Sequence, residues 1–209
     1  AVAIAEHLAG AEEAFVKLMN ARADELGLQN THYVNCTGLP APDHYTTARD
    51  VAKLSAQLDL HPLYYCYSTI WMDEIRHRGG RVTALTNTNR LIRFYPGCDG
   101  YKTGSTNEAR YCVSATAKKD GMRLIAVVLG TPAGQTRFDE ARAMLEYGFA
   151  NVKLATPIAQ GQPLDMTVPV RLGGRDQVSV VSGGTCSLLE RRDEKNALSL
   201  EAALVERVN

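Results

Sequence analysis

The chain is 209 residues long, and its 23 Lys and Arg are balanced by 23 Asp and Glu. That length allows one large domain or two modest ones with a real core, and the even charge excludes the global basic field that favours nucleic acid or anionic membranes. No apolar run approaches the roughly 20 residues of a membrane span; the longest lies near Leu124–Leu129.

Residues 2–9 and 11–26 read as two helical segments broken near Gly10. Ala3, Ile4 and Leu8 form one apolar stripe, and Phe15, Leu18, Met19 and Leu26 another. Gly27 follows as a C-cap. The opening run Ala1-Val2-Ala3-Ile4-Ala5 reads as buried helix and not as a signal peptide, so the sequence is expected to be an internal piece of a longer protein. Residues 30–45 have the Asn, Gly, Pro and Asp density of a loop. Thr47-Ala48-Arg49-Asp50 then opens a helix, with Thr47 as N-cap and Asp50 at its positive end. That helix is predicted to run to about Leu60, before Pro62.

Tyr64 to Ile75 is aromatic and β-branched and is predicted to be a strand region with a bend. Gly79-Gly80 and Pro96-Gly97 read as turns, and Asn87-Thr88-Asn89-Arg90 as a polar loop. Tyr111–Ala117 and Met122–Leu129 flank Asp120-Gly121, which is a hairpin signal because both turn positions favour φ > 0. Arg137 to Phe149 returns to helix, with Phe138, Ala141, Leu145 and Phe149 on one face. Beyond 150 the pattern changes to short alternating strands. They lie at Leu164–Val168 and Gln177–Val181, with Gly173-Gly174 and Gly183-Gly184 between them and a last strand near 198–205. A domain boundary is expected near 150.

The five cysteines (Cys36, Cys66, Cys98, Cys112 and Cys186) are odd in number and lack Cys-x-x-Cys spacing. They read as buried free thiols rather than as a zinc site, although sequence leaves open a single Cys/His nucleophile pair. None of the five histidines sits in a metal or protease motif. No metal or cofactor is expected.

Asp99-Gly100-Tyr101-Lys102-Thr103-Gly104 carries the chemistry. A phosphate-binding P-loop is excluded, because Tyr101 separates Gly100 from Lys102. Lys-Thr-Gly is one of three motifs of penicillin-binding proteins and class A β-lactamases, the others being Ser-x-x-Lys and a Ser-x-Asn-type turn. The chain holds no Ser-x-x-Lys. Ser105-Thr106-Asn107 spells Ser-x-Asn, but it shares a strand end with Lys102 and could not face it across a cleft. The alternative for Lys102 is a solvated lysine on a surface strand.

Taken together, the pieces resemble the low-molecular-mass penicillin-binding proteins, the serine-type D-Ala-D-Ala carboxypeptidases of peptidase family S11. They are Val2–Glu6, Ala14–Asn20, Leu26–His32, Thr47–Asp50, Asn87–Leu91, Asp99–Gly104, Met122–Gly130 and Tyr147–Phe149. The resemblance implies an α+β fold. Residues 1–150 would be the C-terminal part of a β-lactamase/transpeptidase-like domain, an antiparallel sheet packed with helices. Residues 151–209 would start a small β-rich domain. The Ser-x-Asn motif would lie just before Ala1 and Ser-x-x-Lys further upstream, so this chain alone is expected to be inactive.

The resemblance further implies the site. Lys102 would line the cleft opposite the nucleophile as an auxiliary catalytic group, and the Thr103 hydroxyl would hold the substrate carboxylate. Gly104 would let the substrate backbone approach, and the Ser105 backbone N–H would be an oxyanion donor. Arg137, 11 residues before Gly148, would be a second carboxylate anchor, its alternative being a surface arginine at a helix start. Arg110, Arg123 and Arg142 read as structural. Implied partners are peptidoglycan stem peptides ending in D-Ala-D-Ala and, for the full-length protein, β-lactams. The implied location is the outer face of the bacterial cytoplasmic membrane, with any anchor in segments absent here. A β-lactamase or transpeptidase relative, or a non-catalytic module, is the alternative.

Overall fold

The computed structural model describes residues 1–193, 201 and 203–205. The chain divides into two compact units, Ala1–Lys119 with Arg123–Gly148, and Asp120–Met122 with Phe149–Asn209.

In the first unit α1 (Val2–Ala9) ends at Gly10 in the left-handed conformation, and α2 (Glu12–Glu25) follows. Gly27 is also left-handed. The first apolar stripe is not buried as expected: Ala5 is, but Ile4 and Leu8 are both 65% exposed. On α2 the buried residues are Val16 and Ala23. Phe15, Leu18 and Met19 instead wall an open apolar groove of about 330 Å³. The periodicity was that of a helix, but the inward face is offset from the largest side chains.

Asp50 lies in the first turn of α3 (Ala48–Leu58) and is 2% exposed. Its carboxylate accepts from the Asn30 N–H at 2.8 Å and the Thr31 hydroxyl at 3.0 Å, while Thr47 Oγ1 accepts from the Asp50 N–H. Thr47 thus caps the helix, and Asp50 in its first turn pins the preceding loop. The predicted strand over 64–75 is a correction. Leu63–Ser68 forms a short helix, α4, and only Met72–Arg76 is strand, β1. Helix geometry lets Tyr64 and Tyr65 project together. Tyr64 donates to the Tyr101 carbonyl at 3.1 Å, and the Tyr65 and Tyr101 hydroxyls meet at 3.0 Å. Those tertiary contacts outweigh the weak β preference of the aromatics.

β1 pairs antiparallel with β2 (Val82–Thr86) across the Gly79-Gly80 turn. After α5 (Leu91–Phe94) comes a three-stranded sheet in the order β3 (Cys98–Thr106), β4 (Arg110–Lys119), β5 (Met122–Thr131). Asp120 and Gly121 both have positive φ, as a tight hairpin with the strands' own twist requires. On the central strand β4 Val113–Ala117 are all buried, since both faces are covered. α6 (Thr136–Asn151) buries Phe138, Ala141 and Leu145.

In the second unit β6 (Val152–Ile158) pairs antiparallel with β9 (Cys186–Arg191), and β7 (Pro163–Pro169) with β8 (Gln177–Val181). The strand expected over 198–205 falls largely on residues outside those described. Of the five free cysteines only Cys98 is buried; Cys66 and Cys186 are exposed, and Cys36 and Cys112 are intermediate. Burial pushes the Cys98 thiol up to about 11.

Candidate active site

β3 is an edge strand of its sheet. Along it Tyr101 and Thr103 are buried, while Lys102, Gly104 and Ser105 are exposed. Its entry pairs with β4 and is held further by side chains. Three successive carbonyls before Lys102 each accept a hydrogen bond. Ser68 Oγ donates to Asp99, Asn89 Nδ2 to Gly100 at 3.0 Å, and Tyr64 to Tyr101. Below this, Arg123 forks onto both Asp99 carboxylate oxygens, at 2.7 and 2.9 Å, and its Nε reaches Asp59 at 2.9 Å. Asp99 is the main cause that holds the Arg123 guanidinium above the usual arginine range.

A groove of about 620 Å³ runs along the strand. Lys102 to Thr106 form one wall, with Arg137 beside them, and the loop Thr37-Gly38-Leu39 also lines it. That loop is braced from within: Asn35 Oδ1 accepts from the N–H groups of Thr37 and Gly38, and Asn35 Nδ2 donates to the Leu39 carbonyl. It is tethered to α2 by Glu12, whose carboxylate accepts from both the N–H and S–H of Cys36. Those bonds, that to the N–H first, hold Glu12 below its usual range.

The structure brings Lys102, Thr103, Gly104, Ser105 and Arg137 to the same groove. Lys102 Nζ donates to the Thr103 carbonyl. Arg137 Nη1 donates to the carbonyls of Gly104 at 3.1 Å and Cys112 at 3.2 Å, residues paired across β3 and β4. The guanidinium lies over the Phe138 ring at 4.7 Å, and its buried Nε has no acceptor among the described residues. Burial draws its pKa below the ordinary arginine range, where it remains a cation. A Cβ built on Gly104 would meet nothing within 4 Å, so packing within the protein does not demand glycine there.

Among the described residues, the groove lining contains two cations and no carboxylate. It offers fixed positive charge, hydroxyls and an open edge strand, a setting suited to an anionic, extended ligand. Sequence reasoning missed Thr88, whose hydroxyl lies 2.7 Å from that of Thr103, and the loop Thr37–Leu39. No spacing rule links residues 88 and 103. Ser114, opposite Lys102 in the register, was also missed; it bonds Ser55 at 2.7 Å.

Helices packed on an antiparallel sheet, with a Lys-Thr-Gly edge strand along a cationic groove, define a penicillin-binding, transpeptidase-like class of protein. Residues 1–133 match the family described as peptidase S11, D-alanyl-D-alanine carboxypeptidase, and the chain belongs to that family. It is 38% identical to the D-alanyl-D-alanine carboxypeptidase DacF of Bacillus subtilis, over 92% of this chain and 49% of that protein. DacC of Escherichia coli is 34% identical over 98% of this chain and 50% of its own length. The structure of penicillin binding protein 5 from Haemophilus influenzae superposes with a TM-score of 0.73 at 29% identity, covering 92% of this chain and 55% of that one. The chain thus spans about half the length of the curated relatives it matches.

Proposed function

We propose that the full-length protein is a serine D-Ala-D-Ala carboxypeptidase that trims the last residue from peptidoglycan stem peptides. The observation that carries this is the groove: Lys102 on an edge strand and Arg137 beside it, with no carboxylate among the described residues that line it. A peptide ending in a free carboxylate needs that charge, and an edge strand lets its backbone lie alongside.

A serine from outside these 209 residues attacks the carbonyl between the two D-alanines. The C–N bond breaks, the departing amine takes a proton, and water then hydrolyses the acyl-enzyme. Thr103 and Arg137 hold the terminal carboxylate. Lys102 adds positive potential and aids proton transfer to the leaving amine, and the Ser105 N–H stabilises the oxyanion. Gly104 keeps the strand clear for the substrate. Such chemistry, and acylation by β-lactams, belongs outside the cytoplasmic membrane, where its substrate is.

Two measurements test this. Incubated with penicillin, the 209-residue chain gains no covalent adduct by mass spectrometry and the full-length protein gains one. In the full-length protein, Arg137→Ala weakens turnover of a D-Ala-D-Ala peptide by about 1.5–3 kcal/mol, the worth of a charge-assisted hydrogen bond. Acylation by a β-lactam falls less. Unchanged kcat/KM in that variant removes Arg137 from the site. An adduct without peptide turnover indicates a β-lactamase or transpeptidase relative, and an intact gene with no Ser-x-x-Lys indicates a binding module.

A further inference from the structure

Asn87-Thr88-Asn89 links β2 to α5, and its backbone is fixed on both sides of Thr88. Asn87 Nδ2 donates to the carbonyls of Ser68 at 2.9 Å and Ile70 at 3.0 Å, and its N–H donates to Trp71 at 2.8 Å. Asn89 is 1% exposed. Its Nδ2 donates to the Gly100 carbonyl, its Oδ1 accepts from the Leu91 N–H at 3.2 Å, and its own N–H donates to Asn87 Oδ1 at 2.9 Å. Thr88 is thereby held at the groove, and as a β-branched residue it has few rotamers. Its Oγ1 lies 2.7 Å from Thr103 Oγ1.

Two hydroxyls at that distance share one hydrogen bond, so one donates and the other accepts. Each has a single proton. When Thr103 donates to Thr88, it has no proton left for an anion in the groove. When Thr88 donates to Thr103, the Thr103 O–H is free to turn outward, and its oxygen is polarised by the bond it accepts. A carboxylate in the groove selects the second arrangement, because a bond to a charged acceptor is the stronger one.

We propose that Thr88 is a positioning residue for substrate carboxylate recognition. Its hydroxyl donates to Thr103 Oγ1 and so directs the Thr103 proton to the terminal carboxylate of the peptide. This rests on the carboxypeptidase reading above. It assigns a task to a loop that touches β3 twice, at Gly100 through Asn89 and at Thr103 through Thr88, where plain packing would require no hydroxyl on residue 88.

The test uses the full-length protein with Thr88→Val, which keeps the shape and removes the hydroxyl, and Thr88→Ser, which keeps the hydroxyl. Thr103→Val is the reference. On a peptide ending in D-Ala-D-Ala, Thr88→Val should raise KM roughly 3–10-fold, the range of one hydrogen bond, with kcat and the melting temperature unchanged. Thr88→Ser should restore KM. In the Thr103→Val background, Thr88→Val should add nothing, as expected of residues acting through one bond. Wild-type kinetics in Thr88→Val overturn the proposal. So does equal impairment of the Val and Ser variants, or a KM change that tracks a fall in melting temperature. A wild-type protein that does not turn over the peptide overturns the carboxypeptidase reading and this proposal with it.

Discussion

His44 accepts a hydrogen bond from the Val34 N–H on its Nδ1 at 3.0 Å, so the ring must be unprotonated at that nitrogen. Burial, and then the nearby His32, lower its pKa below the usual histidine range. A group with a lowered folded pKa contributes stability above its unfolded value, about 6.5 for histidine, and loses it as pH falls through the folded value. Thermal stability of the full-length protein should therefore decline below about pH 6.5. His44→Asn, which keeps an acceptor that does not titrate, should flatten that part of the curve; an unaltered slope would assign the decline elsewhere. At this scale sequence reading is uneven. Lys102, Thr103 and Gly104 stand out because three residues in order carry a motif. Thr88 and His44 do not, because their meaning lies in partners 15 and 10 positions away.

Two glycines show how element geometry differs from site geometry. Gly97 turns the chain into β3 with φ 86, and a Cβ there would stand 2.6 Å from the Lys118 carbonyl oxygen. Gly104 lies further along the same strand, and a Cβ there faces open space. Gly97→Ala should cost roughly 1–3 kcal/mol from backbone conformation alone, before the clash is relieved. Gly104→Ala should stay within about 0.5 kcal/mol of wild type. Urea unfolding of both variants reads the contrast, and equal losses would show that Gly104 is structural. The elements themselves were legible where local chemistry decides: the Thr47 cap, the Asp120-Gly121 hairpin and α6 stand where their residues put them. α4 was not legible, because three tyrosines in six residues suggest strand, whereas the contacts of Tyr64 and Tyr65 with Tyr101, and the bond from the Tyr65 hydroxyl to Asp59, favour helix.

Arg123 on β5 gathers elements from across the first unit. It reaches Asp99 on β3, Asp59 at the end of α3 and Thr116 on β4, and lies 4.5 Å from the centre of the Tyr65 ring on α4. Its side chain is 17% exposed, so loss of the guanidinium would leave two partly buried carboxylates without their cation. Arg123→Met should lower unfolding free energy by about 1–3 kcal/mol, less than for a fully buried pair. Asp99→Asn in the Arg123→Met background should recover part of that loss, since it removes one stranded charge. Strictly additive losses in the two variants would show that the groups do not act as a unit.

Order along the chain carries the family resemblance, most of the helices and strands of residues 1–150, and the triplet that walls the groove. These are written in local order: caps, turn pairs, alternation and a contiguous motif, each set by neighbours along the chain. Tertiary structure decided which apolar face of α2 turns inward, that Tyr64 and Tyr65 ride on a helix, and which thiol is buried. It also decided that Thr88 meets Thr103 and that Arg137 rests on the Gly104 and Cys112 carbonyls. Each of these depends on atoms that the chain brings together over long separations, and neither propensity nor periodicity encodes such distances.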